Sequence, residues 1–315
     1  MNSTMVRRVT LSIALTAALA GVTACNSSGS SGSSGKDDKA GHKSTTRVSP
    51  IAALRSAEKS TDGADSARIE STTSMGTIMS MKSGGVMGWG NGLTGDMTIT
   101  YTGGTMADTM RKMGSASMEA RYLSDAYYAK MGDTFAQQAG GKHWIRYGYD
   151  DLAKFGGGSG ALLKDQMQNN SPNQSVKTLL ASGDVKKVGD ETVRGEKAAH
   201  YAGTVNVADF AAKSSHLTAG QLADMKKQFT QAGITTEAVD IWVDGKGLVV
   251  KAVSKAEMTG STMSSTTYYS DYGVKVSAAA PPAGDTEDFK DLLKKQGGTP
   301  GSSDTSTGSG TVSGS

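Results

Sequence analysis

Residues 97–101 read Met-Thr-Ile-Thr-Tyr, and residues 118–122 read Met-Glu-Ala-Arg-Tyr. In both stretches an apolar side chain alternates with a polar one, and this period of two is typical of a β-strand with one buried face. Similar patterns predict strands over residues 127–131 and 143–147. Strands that bury one face and expose the other usually pair into antiparallel sheets.

The second half of the sequence repeats this signal. Residues 185–207 are typical of a hairpin, and a further strand is predicted over 264–276. Gly245-Lys246-Gly247 separates predicted strands over 238–244 and 248–256. Because glycine adopts the backbone conformations that tight turns require, this tripeptide predicts a β-hairpin.

Four segments carry helical signals instead. Ser49-Pro50 and Ser171-Pro172 each place a capping residue before a proline, which favours a helix start. Residues 219–232 have an apolar stripe at helical spacing after a capping box, and residues 285–295 form a short amphipathic pattern. The sequence therefore predicts helices at these four positions.

The order of the elements determines the predicted fold class. A helix is followed by several strands, then by two or three helices, then by more strands. Since strands and helices do not alternate one by one, a parallel Rossmann-like sheet is disfavoured. We expect an α+β fold in which helices pack on the concave face of a large curved antiparallel sheet, a half-barrel.

The first 24 residues have the pattern of an export signal. Arg7 and Arg8 precede an apolar stretch, Val9 to Ala24, and no acidic residue lies among them. The 16 residues of this stretch are too few for a membrane-spanning helix, which needs about 20. A basic start, a short apolar centre and a small-residue end predict a signal peptide over 1–24.

Cys25, the only cysteine, directly follows this predicted signal. A single cysteine excludes an intrachain disulfide and any multi-cysteine metal site. The small residues before it resemble the lipobox of bacterial lipoproteins, in which the cysteine is acylated and becomes the new N-terminus. This resemblance implies that acyl chains anchor the protein to the outer face of the cytoplasmic membrane, because two or three chains give stable attachment.

Composition divides the remainder into a linker, one folded domain and a tail. A Ser/Gly-rich and polar linker is expected over 25–45, one domain over 46–296, and a disordered Gly/Ser/Thr tail over 297–315. Removing the two signal arginines leaves 31 basic residues against 30 acidic ones. This near-neutral balance excludes nucleic acid as an expected partner, because binding to it requires several phosphates to be neutralised at once.

Several motifs in the predicted domain carry a family resemblance. In order they are Gly141-Lys142-His143-Trp144, Gly195-Glu196-Lys197 before His200-Tyr201, Asp240 to Gly247, and Tyr269 to Gly273 before Pro281. Together with the lipobox they resemble the actinobacterial LppX/LprG-type lipoproteins of the LolA-like fold, over most of residues 46–283. The resemblance implies an apolar cavity for acyl chains and a role in carrying or presenting lipids outside the cytoplasmic membrane. The motifs themselves look like turn and packing signatures.

Methionine is concentrated in the first strand region. Ten of the 16 methionines lie between Met75 and Met131. Methionine suits a surface that adapts to variable apolar ligands, although methionines on an inward face are also ordinary core residues. Strand parity and helix stripes predict an inward-facing pocket lined by Met79, Met81, Met97, Ile99, Tyr101, Met118 and Tyr122, with Leu179, Met225 and Ile241 across the cavity.

Signals for catalysis, metals and cofactors are weak. The four histidines lie far apart in the sequence without metal-ligand spacing. Residues 90–95 match G-x-G-x-x-G, but a strand pattern rather than a helix follows, so a hairpin or bulge is expected. Asp240 and Asp244 are expected on the solvated face of a strand. We therefore predict neither an enzyme nor a cofactor.

The sequence thus predicts a membrane-anchored lipoprotein that carries or presents a lipid or another hydrophobic ligand in an apolar cavity. Two alternatives stay open. The same fold could serve as an anchored interaction or sensing module, with an envelope protein as partner and no transported ligand. An enzyme is the third possibility, and converging polar groups in a pocket would favour it.

Overall fold

The structure is a computed structural model that describes residues 49–155, 164, 171–208 and 219–295. The chain divides into two units, residues 1–46 and 47–315, and every described residue belongs to the second. The predicted signal peptide, Cys25, the predicted linker and the predicted tail lie outside the described residues.

The described residues form seven α-helices and twelve β-strands. The helices are α1 (Pro50–Asp62), α2 (Gly104–Lys112), α3 (Asp133–Gln138), α4 (Tyr149–Phe155), α5 (Pro172–Leu180), α6 (Ala219–Gln231) and α7 (Phe289–Lys295). The strands are β1 (Ser66–Met75), β2 (Met79–Gly88), β3 (Thr94–Gly103), β4 (Ser117–Tyr122), β5 (Ala126–Lys130), β6 (Trp144–Gly148), β7 (Lys186–Val193), β8 (Glu196–Asn206), β9 (Thr236–Asp244), β10 (Val249–Met258), β11 (Ser261–Ser270) and β12 (Thr286–Asp288). None of these helices combines the length and the apolarity that crossing a membrane requires.

All twelve strands belong to one open sheet, in the order β12-β6-β5-β4-β3-β2-β1-β11-β10-β9-β8-β7. The first long strand, β1, pairs with β2 on one side and with β11 on the other. Neighbours are antiparallel throughout, except that β12 runs parallel to β6. The predicted α+β class with a large sheet is therefore confirmed, whereas the expectation of a purely antiparallel sheet is wrong at this one edge.

Two hydrophobic cores lie on one face of the sheet, which we call the inner face. In the first core, Leu54 of α1 and Leu179 of α5 are fully buried against Ile69 and Ile241. In the second core, Leu152 of α4 is buried with side chains of β4 and β5. Burying a leucine side chain stabilises the fold by about 1.5–3 kcal/mol, so these contacts fix the helices to the sheet.

Helix α1 begins where the capping signal predicts. The Ser49 hydroxyl accepts a hydrogen bond from the Ala52 N–H at 3.2 Å, and Pro50 occupies the first helical position. The last turn of α1 lies near the β9–β10 turn, because the Val249 N–H donates a hydrogen bond to Thr61 Oγ1 at 3.3 Å. We call this end of the sheet the lower end, and the end that carries the β1–β2 and β10–β11 turns the upper end.

Two predicted element bounds are wrong. The strand predicted over 264–276 ends at Ser270, because Asp271 and Gly273 adopt positive φ angles of 49° and 78° that turn the chain. The helix predicted over 285–295 is replaced at its start by β12, and α7 follows it. The reason lies at the sheet edge, where the Asp285 carboxylate accepts the His143 N–H at 2.9 Å and aligns the chain with β6.

Candidate ligand-binding cavity

A cavity of about 220 Å³ lies on the inner face, over the central strands β11, β1, β2, β3 and β4. Its wall consists of seven apolar or aromatic residues and five residues with aliphatic hydroxyl groups. They are Ile69, Ser71, Thr73, Met81, Ser83, Met87, Met97, Ile99, Tyr122, Ser265, Thr267 and Tyr269.

The cavity lies between the two hydrophobic cores. Helices α1 and α5 cover the strands on one side of it, and α4 and α7 contribute side chains on the other. Met97 and Tyr122 pack against both cores and form part of the cavity wall. Between Ile69 and Met97 the sheet register places Gly85, which has no side chain to fill the space. The cavity therefore lies where the helices of the described residues leave the central strands uncovered.

Cross-strand hydroxyl pairs line the β1–β11 side of the cavity. Ser71 lies opposite Thr267 with 3.0 Å between the two hydroxyl oxygens, and Thr73 lies opposite Ser265 at 3.1 Å. Each hydroxyl has one donor and two acceptor sites, so a pair that shares one hydrogen bond retains capacity for a ligand. The expectation of an apolar cavity is thus corrected to a wall of mixed polarity.

The two tyrosines in the wall are neutral at physiological pH. Burial raises the pKa of Tyr122 to about 12, with a smaller contribution from Tyr101, and burial likewise raises the pKa of Tyr269 to about 12. The twelve lining residues include no acidic or basic side chain. This wall can therefore bind through apolar contact and hydrogen bonds from neutral groups.

An acidic residue shares the inner face at the upper end of β9. Glu237 pairs in register with Ala256 of β10, next to Ser254, with which its carboxyl group is hydrogen-bonded. Burial raises the pKa of Glu237, and this hydrogen bond opposes the increase. Glu237 is not one of the cavity-lining residues.

The structure distributes the ten predicted pocket residues over several places. Four line the cavity: Met81, Met97, Ile99 and Tyr122. Three share the inner face by register without lining it: Met79, Tyr101 and Met118. Leu179 and Ile241 are fully buried in the first core. Met225 lies on α6, and the structure does not describe its side chain.

The sequence interpretation missed the hydroxyl-bearing half of the wall. Residues 71–74 read Ser-Thr-Thr-Ser and residues 264–267 read Ser-Ser-Thr-Thr, so neither stretch alternates between apolar and polar side chains. Two Ser/Thr runs inside a strand-rich region would have been the available signal, because threonine favours strands and hydroxyls pair across them.

The glycine motif and the two aspartates that could suggest a catalytic site lie in turns and on the outer face of the sheet. Residues 90–95 cover most of the turn between β2 and β3 and the first two residues of β3, as expected for a hairpin. Asp244 Oδ1 accepts hydrogen bonds from the Lys246 and Leu248 N–H groups in the next turn. On the outer face, His200 lies between Glu191 at 2.8 Å and Asp240 at 2.7 Å. Within the described ranges, no three histidine, cysteine or acidic side chains are arranged to hold a metal ion.

The fold and the cavity define an α+β protein with one twelve-stranded sheet and a small cavity of mixed polarity on its inner face. Two Streptomyces relatives identify its family. The chain is 55 % identical over 257 residues to a protein of Streptomyces griseus named "Uncharacterized 31.2 kDa protein in rplA-rplJ intergenic region", over 81 % of this chain and 84 % of that protein. It is 46 % identical over 316 residues to the Streptomyces coelicolor protein named "Putative lipoprotein SCO4650", over 94 % of this chain and 100 % of that protein. The chain belongs to the family that includes these two proteins.

Similar solved structures have low sequence identity. LppX, a lipoprotein of Mycobacterium tuberculosis, is 14 % identical, with a TM-score of 0.45 over 73 % of this chain and 98 % of that one. LprF of Mycobacterium bovis is 13 % identical, with a TM-score of 0.45 over 74 % and 96 %. No family model matches the chain. The lipoprotein family predicted from the sequence is confirmed by the Streptomyces coelicolor relative, and LppX, to which the motif resemblance pointed, is among these structures.

Proposed function

We propose that this protein is a membrane-anchored extracytoplasmic lipoprotein that binds a lipid or another hydrophobic ligand and carries or presents it. Acyl chains on Cys25 hold it at the outer face of the cytoplasmic membrane. The lipobox and the relative named as a lipoprotein support the anchor. The inner-face cavity is the single observation that supports ligand binding.

The size and lining of the cavity limit the size and the polarity of the ligand that it can enclose. At about 220 Å³ it is larger than an engineered cavity of about 150 Å³ that binds benzene, and smaller than typical pockets of about 300–1,000 Å³. A segment of an acyl chain fits this volume better than a whole lipid. Because the wall carries hydroxyls and no charged side chain, the enclosed part of the ligand is uncharged, with ester or hydroxyl groups as partners for Ser71 and Thr73.

Mass spectrometry of bound lipid tests this proposal. The full chain carrying Cys25→Ser, which cannot be acylated, is purified and extracted with organic solvent, and we expect lipid in stoichiometric amount. Ser71→Phe places a large side chain in the cavity and should abolish that lipid. Thr72→Phe is the matched control, because Thr72 is the exposed neighbour on the opposite face of β1. Absence of lipid from the unfilled chain, or equal retention by both phenylalanine variants, would contradict ligand binding in this cavity.

The small volume also favours a second candidate function. An anchored interaction or sensing module needs no transported ligand and tolerates a nearly filled interior. In that case the Cys25→Ser chain would contain no lipid, and crosslinking in cells would recover one envelope protein with the wild type and Ser71→Phe alike.

A further inference from the structure

Five of the ten tyrosines lie close together on the inner face, beside the cavity. We call Tyr101, Tyr122, Tyr127, Tyr147 and Tyr149 the tyrosine cluster. Tyr127 of β5 lies directly opposite Tyr122 of β4 and Tyr147 of β6, so these three side chains share one face of the sheet. The ring centroids are 5.0 Å apart for Tyr122 and Tyr127, and 5.7 Å apart for Tyr127 and Tyr147. These rings therefore form one continuous aromatic surface.

The tyrosine cluster is continuous with the cavity wall. Tyr122 lines the cavity and packs against the second core, in which Tyr127 and Tyr149 are buried. Tyr149 is the first residue of α4, and its N–H donates a hydrogen bond to the Asp125 carbonyl oxygen at 3.1 Å. Because Asp125 lies in the turn between β4 and β5, this bond holds the start of α4 beside the end of the strand that carries Tyr122.

The Tyr149 hydroxyl has no hydrogen-bond partner among the described residues. Its oxygen is buried, and the whole residue is only 2 % exposed. A buried hydroxyl that makes no hydrogen bond destabilises a protein, because it has lost its bonds to water without replacing them. Phenylalanine would fill the same space without this penalty. An acceptor supplied by a ligand would remove the penalty.

The tyrosine cluster consists of neutral hydrogen-bond donors at physiological pH. Burial, followed by the neighbouring phenols, raises the pKa of Tyr122, Tyr127 and Tyr147. Burial also raises the pKa of Tyr149, with a smaller contribution from Tyr122, and burial raises the pKa of Tyr101. In none of these five described residues does a hydrogen bond contribute to the change in pKa. The phenols therefore keep their protons, and each can donate one hydrogen bond to a ligand.

A carbonyl oxygen is the ligand group that suits these donors. It has two acceptor sites and no hydrogen of its own, so it can satisfy two neighbouring phenols at once. A charged group fits the site poorly, because the twelve wall residues and the five tyrosines include no acidic or basic side chain to pair with it. A lipid ester places a carbonyl oxygen at the end of an acyl chain, and the proposed function puts an acyl segment in the cavity, beside Tyr122.

We infer that the tyrosine cluster is the polar subsite of the inner-face cavity and that Tyr149 and Tyr122 donate hydrogen bonds to an ester carbonyl oxygen of an uncharged acyl lipid. This inference rests on the proposed function, because the cavity must hold the acyl chain next to that ester. An ether-linked lipid with the same chains lacks the carbonyl oxygen and leaves the Tyr149 hydroxyl unpaired. Because an unpaired buried group is costly, the cavity selects ester-linked over ether-linked lipids.

A competition between two matched lipids tests this selectivity. The full chain carrying Cys25→Ser is incubated with detergent micelles that contain equal amounts of dioleoylglycerol, a diester, and the dioleyl diether of glycerol. The protein is separated from the micelles, and mass spectrometry measures the ratio of the two bound lipids. We expect the diester to be enriched about three- to tenfold, the range that corresponds to one hydrogen bond.

Tyr149→Phe, alone and combined with Tyr122→Phe, should bring the ratio of diester to diether close to one. Tyr128→Phe is the matched control, because Tyr128 is the buried neighbour on the opposite face of β5 and is hydrogen-bonded to Arg146. We expect Tyr128→Phe to keep the ratio of its parent. Thermal unfolding checks that each variant is folded. Without lipid, Tyr149→Phe should unfold at no lower a temperature than its parent, because the Tyr149 hydroxyl has no partner to lose.

The outcomes separate this inference from the proposed function. Equal recovery of the two lipids by the parent chain would overturn the ester subsite while ligand binding stands. An enrichment that both Tyr149→Phe and the double variant leave unchanged would overturn it in the same way. Recovery of neither lipid would contradict ligand binding in the cavity, and the subsite with it.

Discussion

At the residue scale, the cavity depends on where side chains are absent as much as on where they are present. Gly85 lies in register between Ile69 and Met97, and a Cβ on it would overlap the Asp96 carbonyl oxygen of β3. Gly84, the next residue, faces the opposite side, and its nearest contact would be the Ile69 carbonyl oxygen at 3.8 Å. Two adjacent glycines therefore have different structural roles.

This difference predicts the effect of alanine at the two positions. Gly85→Ala should lower the free energy of unfolding by about 1–3 kcal/mol, because β2 and β3 must separate to admit the methyl group. Gly84→Ala should be neutral or stabilising by up to about 1 kcal/mol, because alanine restricts the unfolded chain. Urea denaturation of both variants provides the measurement. A similar loss of stability in both would show that the close approach at Gly85 has no energetic consequence.

Strand parity was the part of the site that the sequence predicted at this scale. The register places Met79, Met81, Met97, Ile99 and Tyr101 on one face, as the alternation predicts. Successive side chains of a strand point to opposite faces, so this alternation can be predicted from the sequence alone. The two Ser/Thr runs do not alternate between apolar and polar side chains. The depth of the cavity over them could therefore not be predicted from the sequence.

At the element scale, the two helices that begin with Ser-Pro differ in whether the serine side chain caps the first turn. Helices α1 and α5 begin at Pro50 and Pro172, where the sequence predicts them. Ser49 makes a capping hydrogen bond to Ala52, but the Ser171 side chain makes none. The same sequence signal therefore locates both helix starts and does not determine the contribution of the cap.

We therefore expect unequal effects of removing the two serine hydroxyls. Ser49→Ala should lower the free energy of unfolding by about 1 kcal/mol, because the Ala52 N–H loses its protein partner. Ser171→Ala should lower the free energy of unfolding by a smaller amount, and this variant serves as the matched control. Thermal unfolding followed by circular dichroism measures both variants. A larger loss for Ser171→Ala than for Ser49→Ala would contradict this assignment of the cap.

The short helices α2, α3 and α4 were not predicted from the sequence. Each has nine residues or fewer, a length at which an isolated helix is unstable in water. Leu152 in α4 is buried against the second core, and Ala107 and Met110 of α2 are buried as well. Tertiary contacts of this kind, rather than local propensity, stabilise such helices.

At the scale of the whole molecule, the first and second cores of the described residues flank the inner-face cavity and share residues of its wall. Met97 and Tyr122 pack against both cores, and aromatic contacts continue from Tyr122 to Tyr127 with ring centroids 5.0 Å apart. These shared contacts predict that the two sides of the sheet unfold together.

A core truncation tests this cooperativity. Leu54→Ala in the first core should lower the free energy of unfolding by about 2–5 kcal/mol. Hydrogen exchange measured by mass spectrometry should show equal loss of protection in β9, beside that core, and in β5, beside the second. Ile51→Ala, on the exposed side of the same helix, should change neither strand. If β5 kept its protection in Leu54→Ala, the two cores would be independent units.

No bounds were predicted for β1 and β2, and β12 was predicted as part of a helix. The sequence by itself predicted the anchor signal, strands at the positions of β3 to β11, the common face of the alternating apolar side chains and the starts of α1 and α5. These are properties of short segments, set by periodicity, capping and turn residues. Only the tertiary structure decided that β1 lies beside β11, that β12 runs parallel to β6, and that a cavity of about 220 Å³ remains between the two cores. The reason is physical: Ser71 and Thr267 are 196 residues apart in the sequence, and the pairing of such distant segments depends on packing across the whole sheet.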